Sequence, residues 1–182
     1  MGCLSLSTYT KGCDNGVGGI EKIALFELVD LSVNSMTQSG GTVSALDLAT
    51  SSVTGYTFEF TKDTSSFTEA MVGDGILANV SYQPLINLVF KKMSNSLRNE
   101  IAELGNGVLC AIVKDNNGIY WFIGSGRGLN VIAGAGSSTG VLLTDPNGVT
   151  VVLQGMEKVP AYTIDISAGS SVDSTILALF GF

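Results

Sequence analysis

Ten residues, Val131-Ile132-Ala133-Gly134-Ala135-Gly136-Ser137-Ser138-Thr139-Gly140, have the most chemistry-like spacing in the chain. A short apolar run before Gly134-Ala135-Gly136 matches the opening of a dinucleotide-binding turn. There, glycines let the backbone approach a pyrophosphate held at a helix N-terminus. Gly136-Ser137-Ser138-Thr139-Gly140 also matches G-x-S-x-G, the tight turn that presents a nucleophilic serine in α/β-hydrolases. Each motif needs more than its own residues. The dinucleotide turn must run into a helix, with an acidic residue about twenty positions on. Here it runs into Val141-Leu142-Leu143-Thr144-Asp145-Pro146-Asn147-Gly148 and then a β-branched stretch, which no helix N-terminus would follow. Ser138 would need a general base, and the chain contains no histidine. Lys114 and Lys158, the lysines considered for a Ser–Lys dyad, fall at apparent strand ends without a companion motif. Both motifs therefore read as a loop between strands.

The remaining candidates are weaker. Asp115-Asn116-Asn117-Gly118 has the flavour of a calcium loop but lacks the ligand spacing and the terminal glutamate. Asp63 and Glu69 could pair for acid–base work, yet solvated loop charge is the simpler account. Trp121, in a run of aromatics, reads as core before it reads as a pocket wall. Cys3, Cys13 and Cys110 have no metal-ligand spacing; without histidine a Cys/His site is excluded, and a four-thiolate site lacks one ligand. A Cys3–Cys13 disulfide competes with a reduced intracellular chain, and the latter is the preferred reading. At the start, Leu6 stands where N-myristoylation wants Ser or Thr, and no charged segment with an apolar stretch precedes Cys3 to make a signal peptide. No catalytic, cofactor-binding or metal-ligating residue is expected, and no enzyme.

Composition points elsewhere. The 182 residues suit one domain with a substantial core. Charged residues make up only 14% against 45% hydrophobic, and the mean hydropathy is +0.38. No apolar stretch approaches the ~20 residues of a membrane-spanning helix. The excess apolar surface is thus expected to be hidden by self-association. Nine basic against sixteen acidic residues give a net charge of −7. Lys91, Lys92 and Arg98 form the one basic cluster, too small for tight phosphate-backbone binding.

Turn signals every eight to twelve residues, among Ser, Thr, Gly and β-branched residues, predict an antiparallel β-protein. Residues 20–31 suit a helix or a strand, and the all-β context favours a strand. Residues 56–61 alternate, with Tyr56, Phe58 and Phe60 on one face. Residues 65–73 form a strand ending in a turn at Gly73-Asp74-Gly75, and residues 77–90 run on through Pro84, which implies an edge or bulge. Residues 94–104 are the exception: a Ser94 or Asn95 cap and Leu97, Ile101 and Leu104 at helical spacing predict a helix stopped by a left-handed Gly105 or Gly107. Asp115-Asn116-Asn117-Gly118 then joins two strands through a primed turn. A second hairpin is expected from Gly140–Thr144 and Val149–Gly155 around Asp145-Pro146-Asn147-Gly148. Tyr162, Ile164 and Ile166 alternate inward, and the apolar tail, Asp173–Phe182, is expected to dock on its own domain or a neighbouring subunit.

With these elements in place the chain resembles the tail tube proteins of tailed bacteriophages, especially those of Bacteroidetes phages. The resemblance rests on TSSFTEAM at 64–71, LVFKKMSNSLRNEIAELGNG at 88–107, AIVKDNNGIYWFIGSGRGL at 111–129 and STGVLLTDPNGVTVVLQGMEKVPAYTID at 138–165. It spans most of residues 56–167, and its motifs are structural. It implies a mainly β fold, an antiparallel sandwich or partial barrel with one packed helix at 94–104. It also implies a virion structural protein, assembled in the host cytoplasm. Six copies would close a ring, rings would stack into a tube with other tail proteins, and DNA would pass through without adhering to an acidic lumen. The segment 32–54, read as a long loop, and the 62–79 hairpin are the candidates for contacts between rings. A connector ring of the same superfamily would read alike, and the rival from another class is a monomeric β-sandwich binding module.

Overall fold

Strands that are apolar on successive residues need cover on both faces, and this requirement shapes the centre of the fold. The computed structural model describes residues 15–31, 36–49, 55–74, 79–132, 134, 136–145, 147–166 and 171–181. In chain order the strands and helices are β1 (Ile20–Glu27), β2 (Thr37–Ser39), β3 (Thr42–Leu46), β4 (Tyr56–Glu59), β5 (Ser66–Asp74), β6 (Asn79–Lys91), α1 (Asn95–Leu104), β7 (Leu109–Asp115), β8 (Tyr120–Ile123), β9 (Leu129–Val131), β10 (Gly136–Ser138), β11 (Gly148–Gly155), β12 (Tyr162–Ile164), β13 (Ser171–Val172) and α2 (Ser174–Phe180).

Of the segment 20–31, Ile20–Glu27 form strand β1, which pairs antiparallel with β7 over most of its length, while Leu28–Asp30 make a 3-10 turn. Ile23, Leu25, Ala111 and Val113 face one core, while Ala24, Phe26, Cys110 and Ile112 face another. The first core lies between this central pair and a second set of strands. Ile86, Leu88 and Phe90 of β6 and Val149, Val151 and Leu153 of β11 close over it. Phe58 and Phe60 reach across to the Phe90 ring, with centroids 5.2 and 5.4 Å away. The second core is covered by Val43, Leu46, Tyr162, Ile164, Val172 and Ile176. The fold is thus mainly β, as expected, with the thirteen strands in one continuous sheet folded around two apolar layers.

Helix α1 forms where its apolar spacing placed it. Ser94 Oγ accepts the Leu97 N–H at 3.2 Å, Leu104 is buried, and Leu97 and Ile101 pack on the first core. Pro84 sits where β6 leaves the β11 ladder, which begins at Leu85, so its missing N–H leaves no sheet bond unmade on that side.

Six expectations are corrected. Helix α1 ends without a left-handed glycine: Gly105 is right-handed (φ −68°), and Gly107 also avoids positive φ. The 116–119 turn is not of the primed type, since only Gly118 has positive φ (79°). The Asp115 carboxylate holds that turn instead, accepting the Asn117 and Ile119 N–H groups at 2.8 and 2.9 Å. Val141–Thr144 is not a strand; β11 pairs with β10, and residues 139–145 and 147 lie in the loop between them. Residues 37–46 are not an open loop but the β2–β3 hairpin, turned at Gly40 and Gly41 with positive φ. β3 pairs in parallel with β12 and β13, so the sheet is mixed rather than purely antiparallel.

The sixth correction is a second helix. The apolar tail folds as α2, capped by Asp173 through the Thr175 N–H and stopped by Gly181 at φ 89°. Ile176 is fully buried in the second core, and Phe180 meets Tyr120 edge-on at 5.3 Å. The tail therefore docks on its own domain. Neither Phe182 nor the segment 75–78, where the turn after β5 was expected to continue, lies among the described residues.

Candidate assembly surfaces

Several of the residues singled out for chemistry make hydrogen bonds within the fold. β9 passes through Gly134, at φ 105°, into strand β10 rather than into a helix, so no helix N-terminus faces the glycine turn. Ser138 lies in β10, and its Oγ accepts the Gly140 N–H at 3.3 Å. Lys114 Nζ is bound to Glu21 at 2.8 Å, and that hydrogen bond raises its amine above the ordinary lysine range. A lysine base needs the opposite shift. Asp115 also accepts the Trp121 indole N–H at 3.2 Å, so the calcium-like loop spends its carboxylate internally. Trp121 packs on the first core and on Phe67. Asp63 occupies the turn before β5 with φ 62°, whereas Glu69 on β5 accepts the Ala161 N–H at 2.8 Å. Lys158 is exposed just beyond β11. Cys110 is buried, and burial pushes its thiol far above the ordinary range; Cys3 and Cys13 lie outside the described residues. Among the described residues no three His, Cys, Asp or Glu side chains gather to hold a metal ion. No helix of these residues is long and apolar enough to cross a membrane.

Exposed apolar side chains are spread over the surface, Val17 and Val29 among them, and two groups of them lie at opposite ends of one strand. Residues Leu85–Lys91 of β6 pair with β11, but Asn79–Pro84 continue beyond that ladder paired with β5. The β5–β6 hairpin thus projects as a ribbon. It carries Met71, 70% exposed, with Val72 and Val80 also exposed. At its tip a side chain on Gly73 (φ 147°) would collide with the Asn79 carbonyl. Near its base, Tyr82 and Glu157 exchange backbone hydrogen bonds, while Glu69 reaches Ala161. The Glu157 carboxylate is buried. Its Oε1 accepts the N–H groups of Gly126, Arg127 and Gly128 at 3.3, 2.8 and 3.1 Å. This glutamate therefore joins the ribbon to the Gly124–Gly128 loop.

At the other end of β6 stands the 139–147 loop. Val141 and Leu143 are fully exposed and Leu142 two-thirds exposed, an arrangement with no benefit to an isolated chain. The loop is nonetheless built. Asp145 Oδ2 accepts the Val141 and Leu142 N–H groups at 2.8 Å each, and Asn147 accepts the Lys92 and Met93 N–H groups. The thirteen residues of β6 separate the two projections by roughly 40 Å at about 3.3 Å per residue. Beside the loop, Lys91, Lys92 and Arg98 are exposed together near the start of α1. A groove between α1 and β10–β11 is lined by Arg98, Ile101, Ala102, Ser137, Val149 and Thr150.

Sequence reasoning placed the ribbon among the contact candidates but missed the loop. Val141-Leu142-Leu143 reads as a strand because its residue types are those of buried strands; only the β10–β11 pairing exposes it. Glu157 carried no signal, lying between Met156 and Lys158 just beyond the Val149–Gly155 strand. Comparison of the chain with models of known families, with curated proteins and with solved structures finds no match.

Proposed function

We propose that this chain is a structural subunit of a phage tail tube, resident in the virion, whose copies form rings that stack and conduct DNA during ejection. The observation that supports the reading most is the pair of apolar projections at opposite ends of β6. The two patches differ in sequence and lie at opposite ends of one strand. They suit heterologous, head-to-tail contact, which propagates along an axis. The outer edge of β5 is unpaired within the described residues, and a ring of neighbours would cover it. The acidic balance fits a conduit that DNA traverses without sticking. The subunit needs no catalytic group for this role.

Size-exclusion chromatography with light scattering, followed by negative-stain microscopy, tests the proposal. Rings or tubes are expected at high protein concentration. A stable 18.9 kDa monomer under the same conditions would overturn it.

A further inference from the structure

We propose that Asn106 is a site of spontaneous deamidation, where aspartate or isoaspartate comes to replace the encoded residue at the end of α1. Four asparagines precede a glycine, Asn15, Asn106, Asn117 and Asn147, and all four share the same intrinsic chemistry. The glycine nitrogen, after losing its proton to solvent base, attacks the asparagine Cγ. An N–Cγ bond forms, the Cγ–Nδ2 bond breaks, and the amide nitrogen leaves as ammonia. Water then opens the five-membered imide at either carbonyl, giving aspartate or isoaspartate. The ring closes only where the side chain and the following N–H are free to approach, and glycine, without a side chain, hinders that least.

The fold separates the four. Asn117 is clamped: its Oδ1 accepts the Val17 N–H and its Nδ2 donates to the Val17 carbonyl, each at 2.7 Å. The Gly118 N–H is itself held by the Asp115 carbonyl at 3.1 Å. Asn147 is held too, since its Oδ1 accepts the Met93 N–H at 3.3 Å and Gly148 lies in the sheet between Lys91 and Ser138. Asn106, by contrast, is exposed. Its Nδ2 makes one long bond to the Ala102 carbonyl, 3.4 Å, and the Gly107 N–H has no acceptor among the described residues. Asn15 and Gly16 are exposed and form a second open site, outside any strand or helix. At Asn106 the change reaches the fold. Its N–H bonds the Glu103 carbonyl at 3.1 Å and closes the last turn of α1, whose Leu104 is buried in the first core. A carboxylate cannot donate to the Ala102 carbonyl, and it adds negative charge at a helix C-terminus, where the dipole disfavours it. Isoaspartate also lengthens the main chain between α1 and β7.

Peptide mapping of the full chain by mass spectrometry, after incubation in mildly alkaline buffer, provides the test, and it does not depend on the tube reading. In the folded protein Asn106 should convert at least about tenfold faster than Asn117 or Asn147, because those two must first open locally. In urea the three rates should converge. Gly107→Ala should suppress conversion at Asn106. Gly107 has no positive φ, and an added methyl would lie 3.6 Å from Leu109, an ordinary contact, so this variant should fold. Asn106→Asp should speed amide hydrogen exchange in the last turn of α1 severalfold. Equal folded-state rates at Asn106, Asn117 and Asn147 would overturn the proposal, as would a Gly107→Ala chain that converts as fast as the wild type. A lead for Asn106 that persists undiminished in urea would overturn the role given to the fold. Unchanged exchange in Asn106→Asp would overturn the consequence for α1.

Discussion

The main chains of Tyr82 and Glu157 exchange both of their hydrogen bonds, each 2.8 Å long, as a bridge outside any regular strand pairing. The same Glu157 sends its buried carboxylate to three successive amides of the neighbouring loop. A carboxylate is costly to bury unless its lone pairs are used, and here three N–H donors share one oxygen. The base of the projecting ribbon and the Gly126–Gly128 backbone are therefore fixed by a single residue.

Removing that carboxylate should be felt throughout the base of the ribbon. Glu157→Ala leaves three amides without their acceptor and should lower unfolding stability by about 3 kcal/mol, measured by urea denaturation. Glu157→Gln keeps a carbonyl oxygen and should lose about half as much. An alanine variant within about 0.5 kcal/mol of the wild type would mean that another group holds the loop.

How far the fold could be read from the sequence depended on whether local signals were redundant. Helix α1 was legible because a cap at Ser94 and an apolar stripe at Leu97, Ile101 and Leu104 agree. The β7–β8 hairpin was legible because two apolar runs flank an Asn-Gly turn. α2 was missed because its seven residues, STILALF, make only two turns, too few to separate a helical period from a plain apolar tail. Its Asp173 cap and Gly181 stop were the available signals. β2 and β3 were missed because Thr37–Leu46 is rich in Ser and Thr, although Gly40-Gly41 marked the turn. The surfaces lay further out of reach. Met71 and Leu143 have the residue types of core, and only strand pairing decides that they face water.

The tail is part of the domain's own core, and that sets its mutational cost. Ile176→Ala removes a fully buried side chain from the second core and should cost about 2–4 kcal/mol, read by thermal or urea unfolding. Removing residues 174–182 should destabilise the isolated chain as well as any assembly. A truncated protein as stable as the full chain would show that α2 is dispensable to the fold.

Cys110 provides a probe of intactness. Its Sγ lies 3.6 Å from the Phe26 carbonyl, and desolvation, followed by the nearby Asp30 charge, pushes its thiol far upward. Thiolate is the reactive form, so alkylation at neutral pH should label Cys110 at least about a hundredfold more slowly in the native protein than in urea. Mass spectrometry of the Cys110 peptide reads the rates. Comparable labelling in both states would mean that the central strands open readily.

The exposed apolar loop is shaped by a carboxylate, and this makes its order pH-dependent. The Leu142 N–H, followed by that of Val141, holds the Asp145 carboxyl below the ordinary aspartate range. A group whose pKa is depressed in the folded state contributes its stabilisation above its unfolded pKa and loses it as pH falls through the lower folded value. The Val141 and Leu142 amide resonances should therefore stay constant from neutral pH down to about pH 4 and move only below the usual aspartate value of about 3.9. Asp145→Asn should remove that step altogether. A midpoint at or above the usual value would mean that the two amides are not bound by the carboxylate, and that the Val141–Leu143 projection is held by other contacts.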